Sequence, residues 1–273
     1  MDASRRSVTI RLVLANTAAA VSLVACLGSV SLPFVGTPGA AGNEEEGSLS
    51  TGADPRPLLE QAIAQYGAGD YAGATRLLDQ LIQDEPNNSE AYYYRGRAAY
   101  KLGDLEHALA DLNSAIALAP QHAGAYYYRG RVHYRTGNYA EAVEDLGQAV
   151  TLDPQNAQAF LYRGRALYKL ERYSEAVRDE TQAIELQPGL ADAYYYRGRA
   201  YYKLKQYFVT VADMDQVIAL EPDNARAYFY RARAYAKVDA ITRAVEDLQK
   251  ALSLALPDNL RARAEALLDE LQP

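Results

Sequence analysis

Arginine carries the most distinctive chemistry in this chain, because it recurs at a fixed spacing. Arg95, Arg129, Arg163, Arg197 and Arg231 stand 34 residues apart, and Arg97, Arg131, Arg165, Arg199 and Arg233 follow two residues after each. A guanidinium forks onto a carboxylate through two parallel N–H donors, so each of these side chains needs an acid or a polar ligand. For the first series the acid is internal: Asp111, Asp145, Asp179, Asp213 and Asp247 each lie 16 residues further on. Where Gln61 takes the arginine's place, Leu77 takes the aspartate's. Joint presence and joint absence predict five structural ion pairs. The second series has no such acid and is left to meet a ligand.

Tyrosine is the other excess. The 273 residues hold 23 tyrosines, four phenylalanines and no tryptophan, and every tyrosine lies beyond residue 65. A flat ring with a hydroxyl supplies contact area at low entropic cost, and it attracts cations through its face. Catalytic constellations are missing from the pattern. His107, His122 and His133 fall at unrelated places in the 34-residue register and do not converge as metal ligands or as a base beside a nucleophile. One cysteine excludes a disulfide scaffold and a multi-cysteine metal site. The reading is non-enzymatic, with no cofactor and no metal. The formal charge of −7 disfavours nucleic acid as a partner.

The elements that must position these residues are repeats. Segments such as Ala91–Gly103, Ala125–Gly137, Ala159–Glu171, Ala193–Lys205 and Ala227–Asp239 are near copies, each followed by a second amphipathic run, and Pro120, Pro154, Pro188 and Pro222 close the first four. A weaker copy starts at Pro55. Six repeats result, at 55–88, 89–122, 123–156, 157–190, 191–224 and 225–258, with residues 259–273 as a capping helix that closes the last apolar face. Asn88, Asn156, Asn224 and Asp258 sit where a helix N-cap belongs, and Gly69, Gly103 and Gly137 where a helix ends.

On these residues the chain resembles the tetratricopeptide repeat family. In the second repeat the family's pattern falls on Tyr92, Gly96, Ala99, Ala108, Leu112, Ala115 and Pro120. The resemblance implies an all-α, right-handed superhelical solenoid of helix-turn-helix units that binds other proteins in a concave groove lined by the first helix of each repeat. It places Tyr93, Tyr127, Leu161, Tyr195 and Phe229 on that groove at repeat position 5, and the second arginine series at position 9. Tyr100, Tyr134, Tyr168 and Tyr202 follow at position 12, and Lys101, Arg135, Lys169, Lys203 and Lys237 at position 13. Tyrosines at positions 4, 11 and 17 are expected in the core, and those at 6 on the groove's flank.

Charge divides between the two helices of each repeat. In repeats two to six the first fourteen positions hold sixteen Lys/Arg against two acids, while positions 15–31 hold eighteen acids against five bases. A basic, tyrosine-lined inner wall fits an extended acidic segment or tail of another protein. The same wall would also accept a polyanion or glycan. Self-association is the third reading: Phe208 falls on an outer face, in a repeat where Thr210 and Val217 replace small alanines, after Glu180 has replaced a large apolar residue.

Residues 1–35 read as a signal peptide or N-terminal membrane anchor. Arg5, Arg6 and Arg11 precede a stretch without charge from Leu12 to Asn43. Leu23-Val24-Ala25-Cys26 resembles a bacterial lipobox, which makes Cys26 the candidate lipid acceptor. Residues 36–54, with Glu44, Glu45 and Glu46, read as a flexible linker. The expectation is an exported protein of the cell envelope, attached to the membrane through this segment alone.

Overall fold

The structure is a computed structural model that describes residues 56–272. The expectations for the signal or anchor, the linker and Cys26 lie outside the described residues. Within them thirteen helices follow one another, and no strand occurs. They form hairpins: α1 (Arg56–Gly67) with α2 (Tyr71–Asp84), α3 (Ser89–Leu102) with α4 (Leu105–Leu118), and α5 (Ala123–Thr136) with α6 (Tyr139–Leu152). Three further pairs are α7 (Ala157–Lys169) with α8 (Tyr173–Leu186), α9 (Ala191–Lys203) with α10 (Tyr207–Leu220), and α11 (Ala225–Lys237) with α12 (Ile241–Ser253). A final helix, α13 (Asp258–Leu271), packs on the last pair.

Local chemistry sets the helix ends. The side chains of Asn88, Asn156 and Asn224 accept the backbone N–H three residues on, and so does the imidazole Nδ1 of His122 at the equivalent place. Asp258 is a correction: it is the first residue of α13, behind Pro257, and makes no capping bond. Gly103 and Gly137 terminate α3 and α5 in the left-handed region, at φ of 87° and 86°. Three later repeats make the same turn with side chains, at Glu171, Lys205 and Asp239, where φ is 61°, 60° and 60°.

Packing within a hairpin depends on small residues facing large ones. Ala108, Leu112 and Ala115 of α4 are fully buried, as are Ala142 and Leu146 of α6. Gly130 of α5 lies so close to α6 that a β-carbon there would come 2.7 Å from Leu146 Cγ. Leu78, Leu112, Leu146, Met214 and Leu248 fill the same place in successive repeats, and Glu180 fills it in the fourth. In the fifth repeat Thr210 replaces alanine without leaving its hydroxyl unmet, since Oγ1 lies 3.1 Å from the carbonyl oxygens of both Gly198 and Gln206. Successive first helices (α3 with α5, α5 with α7, α7 with α9) touch one another, whereas successive second helices do not. The first helices therefore crowd the inner side of the stack, and this is what gives the arginine and tyrosine stripes a common wall.

Candidate functional site

The first arginine series is tied down inside each repeat. Arg95 reaches Asp111 through Nε and Nη2 at 2.8 and 2.7 Å, and Arg129 reaches Asp145 at 2.8 and 2.6 Å. Arg163 with Asp179, Arg197 with Asp213 and Arg231 with Asp247 repeat the fork. The five aspartates are buried, and the fork supplies two donors to each carboxylate. Burial raises the carboxyl groups of Asp213 and Asp247, and the hydrogen-bonded arginine draws each back down. The hydrogen bonds it donates to Asp111 hold the Arg95 guanidinium above its ordinary range despite its own burial.

The second series is enclosed by rings. Arg131 lies over Tyr100 and Tyr162 at 4.7 and 4.6 Å, and over Tyr127 and Tyr128 at 5.3 and 5.2 Å. These rings come from three successive repeats. Arg97, Arg165 and Arg199 occupy equivalent cages and Arg233 one without a ring from a following repeat, each stacked against the position-12 ring of the repeat before. Arg131 and Arg199 also direct Nη2 to the hydroxyls of Tyr162 and Tyr168, at 3.2 and 3.4 Å. No carboxylate lies within salt-bridge distance of these five among the described residues. Burial pushes Tyr66 up to about 12 and raises Tyr93, Tyr127 and Tyr195 too, so these four rings stay neutral and offer only their faces and hydroxyls.

This geometry corrects part of the expected groove lining. Tyr127 at 9% exposure, Tyr195 at 6% and Phe229 at 1% are buried, as are Leu161 and Tyr100, while Tyr93 is half-buried. The family resemblance puts position 5 on an open wall, but it points into the seam where the next repeat's position-6 ring packs on it. Tyr93 meets Tyr128 at 6.0 Å, Tyr127 meets Tyr162 at 6.1 Å, and Tyr195 meets Tyr230 at 5.6 Å. Position 4, expected in the core, is only half-buried, with Tyr92, Tyr126 and Tyr194 stacked under Arg95, Arg129 and Arg197.

What remains accessible is narrower. Lys101, Arg135, Lys169, Lys203 and Lys237 are all exposed, one in each of repeats two to six. Tyr134, Tyr168 and Tyr202 are half-buried beside them, braced edge-on by Tyr139, Tyr173 and Tyr207. At the C-terminal end the wall deepens into two adjoining clefts of about 420 and 210 Å³. Both include Arg263 of α13, beside Tyr202 and Arg233. By its spacing Arg263 belongs to the solvent side of the cap, outside the stripe of Leu260, Ala264, Leu267, Leu268 and Leu271. Instead its guanidinium stands 5.8 Å from the Phe229 ring, because α13 packs back against α11. Its spacing within α13 gives no sign of this, since the signal belongs to the docking angle of the helix.

A stack of helical hairpins with an inner wall of first helices is the architecture of a repeat-protein interaction scaffold. The tetratricopeptide repeat profile matches residues 59–123, 99–157, 127–191, 161–207 and 192–224, more than half of the chain. The chain belongs to the tetratricopeptide repeat family, whose members are generally non-catalytic scaffolds that bind proteins or peptides. Among solved structures it is similar to YrrB, described as a tetratricopeptide repeat protein with an unusual peptide-binding site, at 24% identity and TM-score 0.62 over 69% of this chain and 97% of that one. A tetratricopeptide repeat protein from Parabacteroides merdae aligns at 20% identity and TM-score 0.63, over 80% and 88% of the two chains. MamA from Desulfovibrio magneticus aligns at 22% identity and TM-score 0.58, over 63% and 98%. No curated protein sequence matches the chain.

Proposed function

We propose that the protein is an exported scaffold, held at the membrane by its N-terminal segment, that binds an extended acidic stretch of another protein along its inner wall. The observation that carries this reading is the row of exposed cations Lys101, Arg135, Lys169, Lys203 and Lys237, backed by arginines that no carboxylate neutralises. Acidic side chains would meet the lysines first, while the half-buried tyrosine hydroxyls beside them accept or donate to the peptide backbone. The row repeats once per hairpin from the second hairpin to the sixth, so it suits an extended ligand better than a compact one.

The test uses a fluorescent peptide of alternating Glu and Gly against a triple variant, Lys169→Glu, Lys203→Glu and Lys237→Glu. These side chains are exposed, so the thermal midpoint stays within a degree or two of wild type. Affinity falls at least tenfold, about 1.4 kcal/mol. Unchanged affinity rejects the groove. A second reading, self-association, rests on Phe208, which is 77% exposed on α10 with Val209 and Leu220 also exposed. Sedimentation that depends on concentration, and loses that dependence in Phe208→Asp, would favour it. For the anchor, palmitate labelling abolished by Cys26→Ser supports a lipid, and unchanged labelling removes it.

A further inference from the structure

The outer side of the stack contains one break in an otherwise repeated hydrogen bond. In four repeats the Nη1 of the ion-paired arginine donates back to the preceding repeat. Arg95 reaches Asp79 at 2.6 Å, Arg129 reaches Asn113 at 2.8 Å, Arg197 reaches Thr181 at 3.2 Å, and Arg231 reaches Asp215 at 2.6 Å. The acceptor always stands at the same place on the preceding second helix. For Arg163 that place is Gly147, where a β-carbon would lie 3.8 Å from Nη1. Arg163 spends Nε and Nη2 on Asp179 and has no acceptor for Nη1 among the described residues.

A cleft of about 270 Å³ adjoins this gap through Arg163, although Gly147 itself does not line it. Val143 of α6 and Leu167 of α7 supply its apolar contacts, and Arg163, Arg172 and Arg178 bring three guanidinium groups to it. Its two carboxylates are already engaged. Asp179 is forked by Arg163, and Glu175 is forked by Arg172 at 2.7 Å for each bond, with Arg178 at 3.8 Å. One positive charge is left over. The equivalent cleft of the second repeat has the opposite balance, with Asp79, Asp104 and Asp111 against Arg95 and His107. The fourth repeat alone thus combines a missing acceptor with a cationic lining.

We propose that this cleft binds an oxyanion, a carboxylate or phosphoryl group, whose oxygen takes the position left empty by Gly147 and accepts from Arg163 Nη1. Arg178, the most exposed of the three guanidinium groups, turns in to complete the contact. The site lies among α6, α7 and α8 and shares no residue with the cation and tyrosine stripes of the inner wall, so it stands whether or not the groove binds peptides.

The experiment titrates the full chain calorimetrically with sodium phosphate and, separately, with sodium acetate, ionic strength being held with sodium chloride. Wild type shows one saturable site for at least one of the two anions. Gly147→Asp places a carboxylate where Asp79 and Asp215 stand, and it weakens that binding at least tenfold while keeping or raising the thermal midpoint without anion. Arg178→Gln, at an exposed position, weakens binding and leaves the midpoint unchanged. Saturation by phosphate alone assigns a phosphoryl ligand, by acetate a carboxylate, and each supports the site. Absence of saturation in wild type by either anion, or equal affinity in Gly147→Asp, overturns it.

Discussion

Glu180 is the residue whose chemistry departs furthest from its surroundings. It is 0% exposed, sits where the other repeats hold leucine or methionine, and neither carboxyl oxygen has a hydrogen-bond partner. Burial pushes its carboxyl well above the usual carboxylate range; neighbouring Asp179 pushes the same way, and Arg165 opposes them. A carboxyl that stays protonated when folded and ionises when unfolded binds more protons in the folded chain. Its contribution is therefore most favourable below the ordinary value of 4.5 and is lost as pH rises from there toward the raised folded value. Glu180→Leu should raise stability at neutral pH by roughly 1–3 kcal/mol. It should also flatten the decline above pH 4.5, as read from urea midpoints across pH. A steeper decline in the variant would contradict the assignment. Lys205 makes a second residue-scale case, because at φ of 60° it adopts the turn that Gly103 and Gly137 make without a β-carbon. Lys205→Gly should gain about 1 kcal/mol, the cost of a left-handed conformation less the added freedom of glycine when unfolded. Chemical denaturation checks it.

At the scale of the element, the first helix of each of repeats two to six does two jobs with two arginines. Position 7 joins it to its own second helix through a buried carboxylate, and position 9 joins it through rings to the repeat before and, except in the sixth, to the repeat after. Arg131 is the plainest instance, with contacts to Tyr100, Tyr127, Tyr128 and Tyr162. A cation against several partly desolvated rings is worth roughly 1–2 kcal/mol. Arg131→Met keeps the stem and should lose about that much in a urea titration. Arg131→Glu should lose more, since it buries an unpaired carboxylate against neutral phenols. Charge reversal at this position is therefore a stability probe and unsuitable as a test of the groove, which is why the exposed position-13 lysines are used for binding. The ion pairs were legible from the sequence because Arg and Asp recur and vanish together at a separation of 16, as the pair Gln61 and Leu77 makes plain. The cages were not, because Tyr162 lies 31 residues from Arg131 and approaches it only through the stacking of repeats.

For the whole molecule the governing quantity is how charge is distributed. The paired arginines cancel against buried aspartates, so the field of the inner wall comes from the unneutralised arginines, the exposed position-13 cations and Arg263. If an acidic segment binds there, its affinity should fall about tenfold or more between roughly 0.05 and 0.5 M salt, as screening shortens to a few ångströms. Fluorescence anisotropy at several salt concentrations measures this. Salt-independent binding would point to the apolar bases of the C-terminal clefts, with Phe229, Leu267 and Leu271 as the contact.

The amino-acid sequence by itself determined the repeating unit, because a 34-residue period of apolar, small and turn-forming residues admits one economical packing of hairpins. It also determined which arginine belongs to which aspartate, since both lie within one unit and their separation is local. The stacking of units decided the rest. It turned position 5 into the seam, wrapped the position-9 arginines in rings from two or three repeats, and swung Arg263 of the cap toward the wall. It also set Arg163 opposite Gly147. Each of these depends on the angle at which one hairpin rests on the next, and that angle is a sum over many small contacts that no single position in the chain records.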